Sequence, residues 1–467
     1  MESFEIKKSD FSMGLPVINP HAAAIDIGSM LMTVSYTGAD GCSYLFECCA
    51  FTADLKALVK TLSAAGVTDV AMEATGIYWM SLYELLEDAS IKVTLINPAH
   101  FKNVAAQKTD VNESQWHHQL NACGLLRNSH IATDNFRELR HYIHERGVVQ
   151  RQKVDTLNRI HRQLTLMNFK FQHLISDTAY FVHSTSIEGV GGMQLIRAIA
   201  SGVSDPKELL YLMDLKRFKA SPDELFKSLQ GIYKEHFVTL LKMKMEEYDF
   251  YKKQMLMYDQ LIEGALKKIV VDIPIDLLPE ENQENQKKTK PKYYRKNEFS
   301  FDAKVYLKKI YGVDLTLVTA FDEKMLLDIA SVVGSDLSKW STPEKFVAYL
   351  LLSPRIKKSG GKILGHQKRK VKNPATQAFR LAARSLWNSK TPMGVLYRRL
   401  SASKGKTTAN KAVASKLARL FYTLVTKKVE YDETMWAVRK EQQEKREITK
   451  MKKMAEKFGF EIKRKVA

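Results

Sequence analysis

Short apolar runs alternate with amphipathic segments over the first 130 residues. Buried strands are predicted at "HAAAIDIGS", "MLMTVSYTG" and "YLFECCAFTA", and the second has the alternating pattern of a hairpin partner. Helical periodicity and a glycine stop predict a helix in "ADLKALVKTLSAAG". There follow a strand in "DVAMEATG", a helix in "IYWMSLYELLEDA", a strand in "KVTLINP" and a helix in "VNESQWHHQLNACGLL". This order predicts an α/β domain over residues 1–130, with a sheet of mixed strand direction.

Helical patterns dominate the rest of the chain. Residues 131–277 predict a helical region, in which apolar and aromatic residues keep a 3-4 spacing from Leu241 to Ile269. This spacing is typical of the seam of a coiled coil or of a long helical hairpin. Residues 278–298 are polar and charged and predict an exposed linker. The remaining predicted parts are a mostly helical domain and a charged helical tail, at 299–430 and 431–467.

The positive charge of the chain is concentrated in one segment. Its 72 Lys and Arg and 52 Asp and Glu give a formal net charge of +20. From Ser353 to Leu420 there are 18 Lys and Arg and no acidic residue, which leaves a net charge of only +2 for the remainder. A solubilising surface normally mixes both signs. A basic excess held in one segment therefore indicates a polyanionic partner, and we expect nucleic acid.

Nothing in the sequence indicates a membrane protein or a secreted one. No apolar run reaches membrane-spanning length, and "MESFEIKKSD" lacks the apolar core of a signal peptide. The four cysteines have no metal-type spacing and are expected to be reduced thiols. They are Cys42, Cys48, Cys49 and Cys123. We expect a cytoplasmic protein.

Four carboxylates occupy positions from which they can converge. Asp26 ends the first predicted strand, Glu73 lies in the fourth, and Asp110 and Glu113 lie three residues apart on one helix face. Clustered carboxylates repel each other unless a divalent cation is present, and hard oxygen ligands favour Mg²⁺ or Mn²⁺. Two such ions roughly 4 Å apart could clamp a phosphodiester during an in-line displacement. The sequence thus predicts a metal site for phosphodiester chemistry.

Each of these residues has a plainer interpretation when it is taken alone. A strand Asp before Gly is often a turn residue, and Glu73 before "ATG" could be a helix cap. The order of two strand carboxylates and one helix pair is what favours the metal site. His117 lies on the face of Asp110 and Glu113 and could add a ligand, but we expect His117 and His118 to be partly exposed helix residues.

A serine lies in the most basic part of the chain. The segment "SPRIKKSGGKILGHQKRKVK" (353–372) places Ser359 before two glycines, among eight Lys and Arg and no acidic residue. Ser359 could attack a phosphate, or it could lie in a basic loop and cap the next helix. "SGGK" is not a Walker A motif, because the first glycine of GxxxxGK is missing.

Several long stretches resemble one family of transposases. They are "AIDIGS", "AMEATGIYW", "LINPAHFKNVAAQKTDVNESQW" and "SPRIKKSGGKILGHQKRKVKNPATQAFRLAARSLWNS", and they occur in the order in which that family has them. On these motifs the chain is similar to the DEDD-type insertion-sequence transposases (the insertion sequence one-ten family), which include bridge-RNA-guided recombinases. The resemblance runs from about His21 to Tyr431.

The resemblance implies a RuvC-like, RNase H-type N-terminal domain, a coiled-coil connection and a C-terminal transposase domain. It places Asp26, Glu73 and Asp110 on the family's first three acidic positions and Glu113 on the fourth, where the family usually has Asp. The carboxylate remains at that position but reaches one methylene further. The family's helix-hairpin-helix-like stretch usually contains Gly-Ile-Gly, and "VTAFDEKMLLDIA" lacks these glycines.

Ser359 falls on the family's nucleophilic serine. The resemblance implies that its hydroxyl attacks a phosphodiester and forms a phosphoserine link to DNA, with the four carboxylates holding Mg²⁺ or Mn²⁺ beside it. General chemistry supports this role, since serine needs activation, glycines admit a close DNA backbone and lysines stabilise charge on a phosphate. The residues expected to bind nucleic acid are Lys357, Lys358, Gly360, Gly361, Lys362, Arg380, Arg384, Arg398, Arg399 and Lys416.

The resemblance also implies the partners of the chain. A structured non-coding bridge RNA from the element would pair with double-stranded target and donor DNA, so that base pairing supplies the sequence choice. The protein would be a homo-oligomer, a dimer that assembles to a tetramer, in a bacterial or archaeal cytoplasm and associated with the nucleoid.

Two other functions stay open at the level of sequence. A RuvC-like, structure-selective junction nuclease would use the four carboxylates with water as the nucleophile, and Ser359 would be dispensable. A catalytically decayed RNA- or DNA-binding protein is the other alternative, and Glu113 at the usual Asp position is the feature that favours it. Metal-dependent strand transfer distinguishes the recombinase from both.

Overall fold

The chain divides into two compact units, Met1–Ile131 and Ala132–Ala467, which we name unit 1 and unit 2. The computed structural model describes residues 6–8, 16–74, 76–96, 110–170, 190–213, 220–272, 297–354, 356–366 and 373–432, with isolated positions at 448–449, 451, 454–456 and 459. Of the predicted linker, only Asn297 and Glu298 are among these residues. Most of the predicted tail lies outside them.

Unit 1 is built on one six-stranded sheet. Its strands are β1 (Lys7–Lys8), β2 (Ala22–Ile27), β3 (Leu31–Thr37), β4 (Ser43–Cys49), β5 (Asp69–Glu73) and β6 (Lys92–Ile96). Their spatial order is β1-β4-β3-β2-β5-β6, in which β2, β5 and β6 are parallel and the other neighbours are antiparallel. This confirms the predicted α/β sheet of mixed direction. The sequence pattern does not predict β1, because two lysines carry no apolar alternation.

Apolar side chains cover one face of the sheet. Helices α1 (Thr52–Ala64) and α2 (Trp79–Asp88) pack there against alternate residues of the central strands. Ile25 of β2, Met72 of β5 and Leu58 of α1 are all completely buried in this layer. Burying a side chain of this size stabilises the fold by roughly 1.5–3 kcal/mol. This layer therefore supplies most of the hydrophobic stabilisation of unit 1.

The opposite face of the sheet carries small and polar side chains. Ala24 and Ala71 are fully buried there, and helix α3 (Asp110–Ala122) packs over β2, β3 and β5. Because alanine ends at Cβ, the helix lies close to the sheet and its polar residues reach the strands. The strand carboxylates belong to this face, since Asp26 and Glu73 share the alternation of Ala24 and Ala71.

Two long helices form the spine of unit 2. Helices α4 (Asp134–Leu166) and α8 (Glu235–Val271) run antiparallel, because the start of α4 shares a core with the end of α8 and the end of α4 shares another with the start of α8. Around the second core pack α5 (Val190–Ala200), α6 (Pro206–Tyr211) and α7 (Pro222–Ser228). The predicted apolar seam of α8 is buried at Leu241, Met245, Tyr248, Met255, Ile262, Ala265 and Ile269.

A buried ion pair joins the middle of this spine to the chain that follows it. The side chains of Arg146 and Asp259 are each 2% exposed and bond to each other through Arg146 Nε. Arg146 also donates from Nη2 to the carbonyl of Glu298 at 2.9 Å and lies 4.3 Å from the centre of the Phe299 ring. Asp259 Oδ2 accepts the backbone N–H of Ser300 at 3.0 Å. Both buried charges are thus hydrogen-bonded, as burial of a charge requires.

Among the described residues, six α-helices and a β-hairpin make up the C-terminal part of unit 2. The helices are α9 (Ala303–Tyr311), α10 (Glu323–Val333), α11 (Pro343–Tyr349), α12 (Pro374–Ser385), α13 (Pro392–Lys404) and α14 (Lys406–Lys427). Aromatic side chains fill their core, where the Phe421 ring centre lies 5.3 Å from that of Tyr311 and 5.8 Å from that of Phe379. The hairpin consists of β7 (Ile356–Ser359) and β8 (Lys362–His366) and was not predicted from the sequence.

Length alone does not make α4 or α8 a membrane helix. The two helices have 33 and 37 residues, and both carry charged side chains along their length. In the part of the chain that the structure describes, no helix is both long enough and apolar enough to cross a membrane.

Candidate active site

The neighbouring parallel strands β2 and β5 each have a carboxylate at their carboxyl end, at equivalent positions in the strand register. The strand register pairs Ile25 with Met72, so the next residues along the two strands are Asp26 and Glu73. Neighbouring strands are about 4.8 Å apart. Both side chains are half-buried on the α3 face. The register therefore brings these two predicted site residues to one edge of the sheet.

Helix α3 brings a third carboxylate and an imidazole to the same edge. Glu113 and His117 lie four residues apart on α3 and therefore on one helix face. Glu73, Glu113 and His117 each have one donor atom, a carboxylate oxygen or a ring nitrogen, and these three atoms lie within 4.8 Å of one another. Asp110 is the first residue of α3, one turn before Glu113, and its side chain lies outside the described part of the structure.

Buried hydrogen bonds fix α3 against the sheet. The ring of His118 bonds to Ser35 Oγ at 2.9 Å and to Thr37 Oγ1 at 3.0 Å, both on β3. Asn121 Nδ2 donates to the carbonyl of Ala23 at 3.1 Å and to Asp69 Oδ1 at 3.0 Å. These contacts set the rotation and height of the helix, so they also set where Glu113 and His117 point.

The expectation that His117 and His118 are partly exposed is wrong. His117 is 3% exposed and His118 is completely buried. The reason is that α3 buries polar rather than apolar side chains, because the strands beneath it offer hydroxyls and carbonyls. Burial lowers the pKa of His117, although the nearby Glu113 carboxylate opposes this shift. Burial also lowers the pKa of His118 to about 4. Both rings are therefore neutral at pH 7.

The donor set at this edge fits a divalent cation. Carboxylate oxygens suit Mg²⁺ and Mn²⁺, and a neutral imidazole nitrogen is an additional transition-metal ligand. Ligand atoms lie about 2.0–2.3 Å from such ions, so two donors on opposite sides of one ion are about 4–4.6 Å apart. The 4.8 Å limit on the spacing of the Glu73, Glu113 and His117 donors is close to that span. Small side-chain rotations would bring all three onto one ion.

Ser359 lies at the tip of the β7–β8 hairpin. It pairs with Lys362 across a two-residue turn of Gly360 and Gly361. Their φ angles of 53° and 77° are left-handed, which is the conformation of a type I′ hairpin turn and the reason that glycine occupies both positions. Ser359, both glycines and Lys362 are exposed. The alternative that Ser359 caps the next helix is wrong, because Asn373 caps α12 by accepting the N–H of Ala375.

Comparison with known families identifies the N-terminal part of the chain. Residues 23–169 match the family model DEDD_Tnp_IS110, which is described as a transposase. Over these residues the chain is similar to the DEDD-type transposases of the IS110 family. The match begins in β2, includes α3 with Glu113 and His117, and ends just after α4. The search of curated proteins found no match.

The DEDD-type match supports a transposase or recombinase of an insertion sequence, with DNA as its substrate. It covers Asp26, Glu73, Asp110, Glu113 and His117, which together we name the acidic edge. Ser359 and the basic segment lie outside the matched range. The match therefore includes the acidic edge but not Ser359.

The residues predicted to bind nucleic acid differ in their exposure and in the hydrogen bonds that they make within the protein. Arg384 and Arg399 are exposed on α12 and α13. Arg380 and Lys416 are half-buried. Arg398 is different, because its Nη1 donates to two backbone carbonyls, at 2.8 Å and 2.7 Å, in the turn before α13. Arg398 thus stabilises that turn, whatever else its remaining N–H groups bind. The side chains of Lys357 and Lys358 lie outside the described part of the hairpin.

The stretch "VTAFDEKMLLDIA" forms the start of α10 and belongs to the core. Asp322 caps this helix by accepting the N–H of Met325 at 2.7 Å. Leu326, Leu327 and other apolar residues of the helix are completely buried. Burial also raises the pKa of Asp328 to about 6. The stretch therefore has a structural use that does not need the missing glycines.

Proposed function

We propose that this DEDD-type transposase is a site-specific recombinase that cuts and rejoins DNA through a phosphoserine intermediate. The observation that carries the proposal is the meeting of donor atoms from Glu73, Glu113 and His117 within 4.8 Å. Asp26 occupies the position on β2 that is equivalent to Glu73 on β5, at the same edge of the sheet. Carboxylates held so close together repel one another, so the arrangement favours a bound cation over a purely structural role.

The RuvC-like domain would hold Mg²⁺ or Mn²⁺ with Asp26, Glu73, Asp110 and Glu113. A bound divalent cation polarises a phosphate oxygen and lowers the pKa of a coordinated hydroxyl. The contribution of this chain is position: two carboxylates come from neighbouring strands, and two come from one turn of α3. Glu113 has one methylene more than Asp, and its carboxylate still comes within 4.8 Å of the Glu73 carboxylate. The Glu at this position is therefore compatible with an active site.

Ser359 would be the nucleophile. Its Oγ forms a bond to phosphorus, the bond from phosphorus to one sugar oxygen breaks, the serine hydroxyl loses its proton, and the departing oxygen takes one up. Attack by a sugar hydroxyl of a second strand reverses these changes and releases the serine. The number of phosphoester bonds is conserved, so the reaction needs no ATP. The exposed position of Ser359 supports this role, because a DNA strand can reach it.

The basic segment would bind the DNA backbone. It supplies 18 Lys and Arg between Ser353 and Leu420, and Lys362 beside the Gly-Gly turn is exposed. Phosphate contacts fix the position of a protein on nucleic acid but carry little sequence information. We therefore propose that a bridge RNA selects the target and donor sites by base pairing, as in the family that the chain resembles.

We propose a homotetramer assembled from dimers, in which the carboxylates of one copy act on the same phosphate as Ser359 of another. The test is to mix two inactive proteins, one with Ser359→Ala and the other with Asp26→Ala. Mixed assemblies contain some sites with both functional parts, so a fraction of the wild-type activity should return. Complete inactivity of every mixture would favour a site within one chain.

The experiment that tests the proposal is a covalent-trapping assay. The full chain, its element-derived RNA, and labelled target and donor DNA are mixed with Mg²⁺, and the products are run on a denaturing gel. We expect a protein–DNA adduct that is lost with Ser359→Ala and with Asp26→Ala. Ser403→Ala is the matched control, because Ser403 is also an exposed serine of the basic segment and bonds only to carbonyls of its own helix.

A junction nuclease is the second candidate function. The observation in its favour is that donors of the acidic edge come together within unit 1, on β5 and α3. Water could then be the nucleophile, and Ser359 would not take part. The same assay separates the two functions: free cleaved ends without an adduct, unchanged by Ser359→Ala, would support the nuclease and contradict the recombinase.

A further inference from the structure

The two adjacent histidines of α3 have different surroundings. His118 faces β3, where its two ring nitrogens bond to Ser35 Oγ and Thr37 Oγ1. Its ring is thereby committed to holding the helix on the sheet. His117 is turned by about 100° around the helix axis from His118. This rotation points its ring along the edge of the sheet, toward Glu73 and Glu113.

The place of His117 is defined by the two carboxylates. A ring nitrogen of His117 lies within 4.8 Å of a carboxylate oxygen of Glu113, one helical turn before it, and of Glu73 on β5. His117 is also 3% exposed, so its orientation is set by packing rather than by solvent. A buried imidazole beside two carboxylates has the composition of a mixed nitrogen–oxygen metal site.

We propose that His117 binds the divalent cation directly through a ring nitrogen, and that the mixed donor set makes this site prefer Mn²⁺ to Mg²⁺. The inference deepens the proposed function and rests on it, because it concerns the same cation. Mg²⁺ favours oxygen ligands, whereas first-row transition metals also bind imidazole well. The loss of one nitrogen ligand should therefore weaken Mn²⁺ binding more than Mg²⁺ binding.

The test is electron spin-echo spectroscopy of Mn²⁺ bound to the full chain. A coordinated imidazole gives a ¹⁴N modulation of the Mn²⁺ echo, which ¹⁵N-histidine labelling of the wild-type protein should replace by a ¹⁵N pattern. This arm needs no substitution, so it does not depend on how a variant folds. Titration calorimetry on the same samples gives the Kd for Mn²⁺ and for Mg²⁺.

Two histidine substitutions serve as test and control. His117→Gln should abolish the nitrogen modulation and raise the Kd for Mn²⁺ by about 10-fold, with a change of less than about 3-fold for Mg²⁺. His144→Gln should keep the modulation, because His144 is an exposed residue of α4 in unit 2. Bound Mn²⁺ without nitrogen modulation in the wild-type protein would overturn the inference, and so would modulation that survives in His117→Gln.

A third variant separates this inference from the proposed function. Glu113→Gln should weaken both ions, because it removes a charged oxygen ligand. If Glu113→Gln and Glu73→Gln bind Mn²⁺ as the wild type does, the proposed metal site and the inference are both wrong. If the histidine coupling is present and is lost in His117→Gln, the ligand is established, even where the trapping assay shows no adduct and contradicts the recombinase.

Discussion

The acidic edge of unit 1 and the serine hairpin of unit 2 position their reactive groups in opposite ways. The acidic edge lies on β2, β5 and α3. Asn121 bonds α3 to β2 and β5, and His118 bonds α3 to the neighbouring strand β3. Ser359 lies at the exposed end of a two-stranded hairpin, and its local conformation depends on the left-handed turn at Gly360 and Gly361.

The difference corresponds to the roles that we propose for the two groups. Ligands of one cation have to stay within a few tenths of an ångström of their places, and rigid helices and strands provide this. A nucleophile that attacks DNA must instead be reachable by a large substrate. Changes at the acidic edge should therefore act through metal affinity, and changes at the hairpin should act on the reaction while leaving stability almost unaltered.

Ser359→Ala should have the largest effect on the reaction and almost none on the fold. Removal of a nucleophile costs at least about 10³-fold in the rate of covalent adduct formation. The melting temperature should stay the same, because the side chain is exposed. Quantified trapping gels and thermal unfolding of the full chain measure the two effects. Wild-type adduct levels in this variant would show that Ser359 is not the nucleophile.

Glu73→Gln should lower the rate of strand cleavage by about 10²-fold, because it removes a ligand from the rigid site. Without metal, its melting temperature should not fall below that of the wild type, since one of several mutually repelling charges is lost. The increase in melting temperature that Mn²⁺ produces in the wild type should shrink.

Glu84→Gln is the matched control for Glu73→Gln. Glu84 is an exposed residue of α2, on the other side of the sheet. It should leave cleavage and the Mn²⁺-dependent increase unchanged. An equal loss of cleavage in both variants would mean that total charge, and not a metal site, explains the effect.

Asp328→Asn measures what a carboxylate costs when it is buried in the helical core of unit 2. Burial raises the pKa of Asp328 from 3.8 to about 6. Between these pH values the folded state keeps a proton that the unfolded chain has lost, so stability falls as pH rises from about 4 to 6 and stays lower above that. The variant should be more stable than the wild type by about 1–3 kcal/mol at pH 7.

Urea unfolding of the full chain at pH 4 and pH 7, monitored by hydrogen exchange of α10, measures this difference in stability. At pH 4 the variant and the wild type should have equal stability, because Asp328 is protonated in the folded wild-type protein. If the variant were more stable than the wild type by the same amount at pH 4 and pH 7, the buried charge would not be the cause.

Gly361→Val should have the smallest of these effects, and only at the hairpin. The φ angle of Gly361 is +77°, and nothing lies within 4 Å of the position that a Cβ would take. The substitution therefore adds backbone strain without a clash, about 1–2 kcal/mol. In trapping gels we expect adduct formation to fall by about 5–20-fold, and the melting temperature should fall by no more than about 2–4 °C. Gly361→Asn should be milder, because Asn tolerates the left-handed region; an equal loss in both would contradict the turn explanation.

The elements of unit 1 could be predicted because each has a regular apolar pattern. The strand from Ala22 to Ile27 and the helix from Thr52 to Ala64 follow periods of 2 and 3.6. The buried state of His117 and His118 could not be predicted in this way, because a polar helix pattern normally indicates an exposed helix. Burial of α3 depends on Ser35, Thr37 and Ala24, which are distant in sequence. The spacing of Glu113 and His117 was the signal that favoured a ligand.

The hairpin at Ser359 has a local sequence signal. A Gly-Gly pair between two short runs, as in "RIKKSGGKILGH", is a common hairpin pattern. The convergence of side chains at the acidic edge could not be predicted from the sequence pattern. It depends on the register of β2 with β5, and sequence periodicity does not determine the register between distant strands.

We propose that attack by Ser359 depends on a divalent cation held at the acidic edge. The most direct test is to measure adduct formation across a range of Mn²⁺ concentrations and compare its midpoint with the Kd for Mn²⁺, in the presence of RNA and DNA, for the wild type and for His117→Gln. The midpoint and the Kd should agree, and the substitution should shift both by the same factor. Adduct formation that does not depend on Mn²⁺, or a midpoint that stays fixed while the Kd shifts, would contradict the proposal.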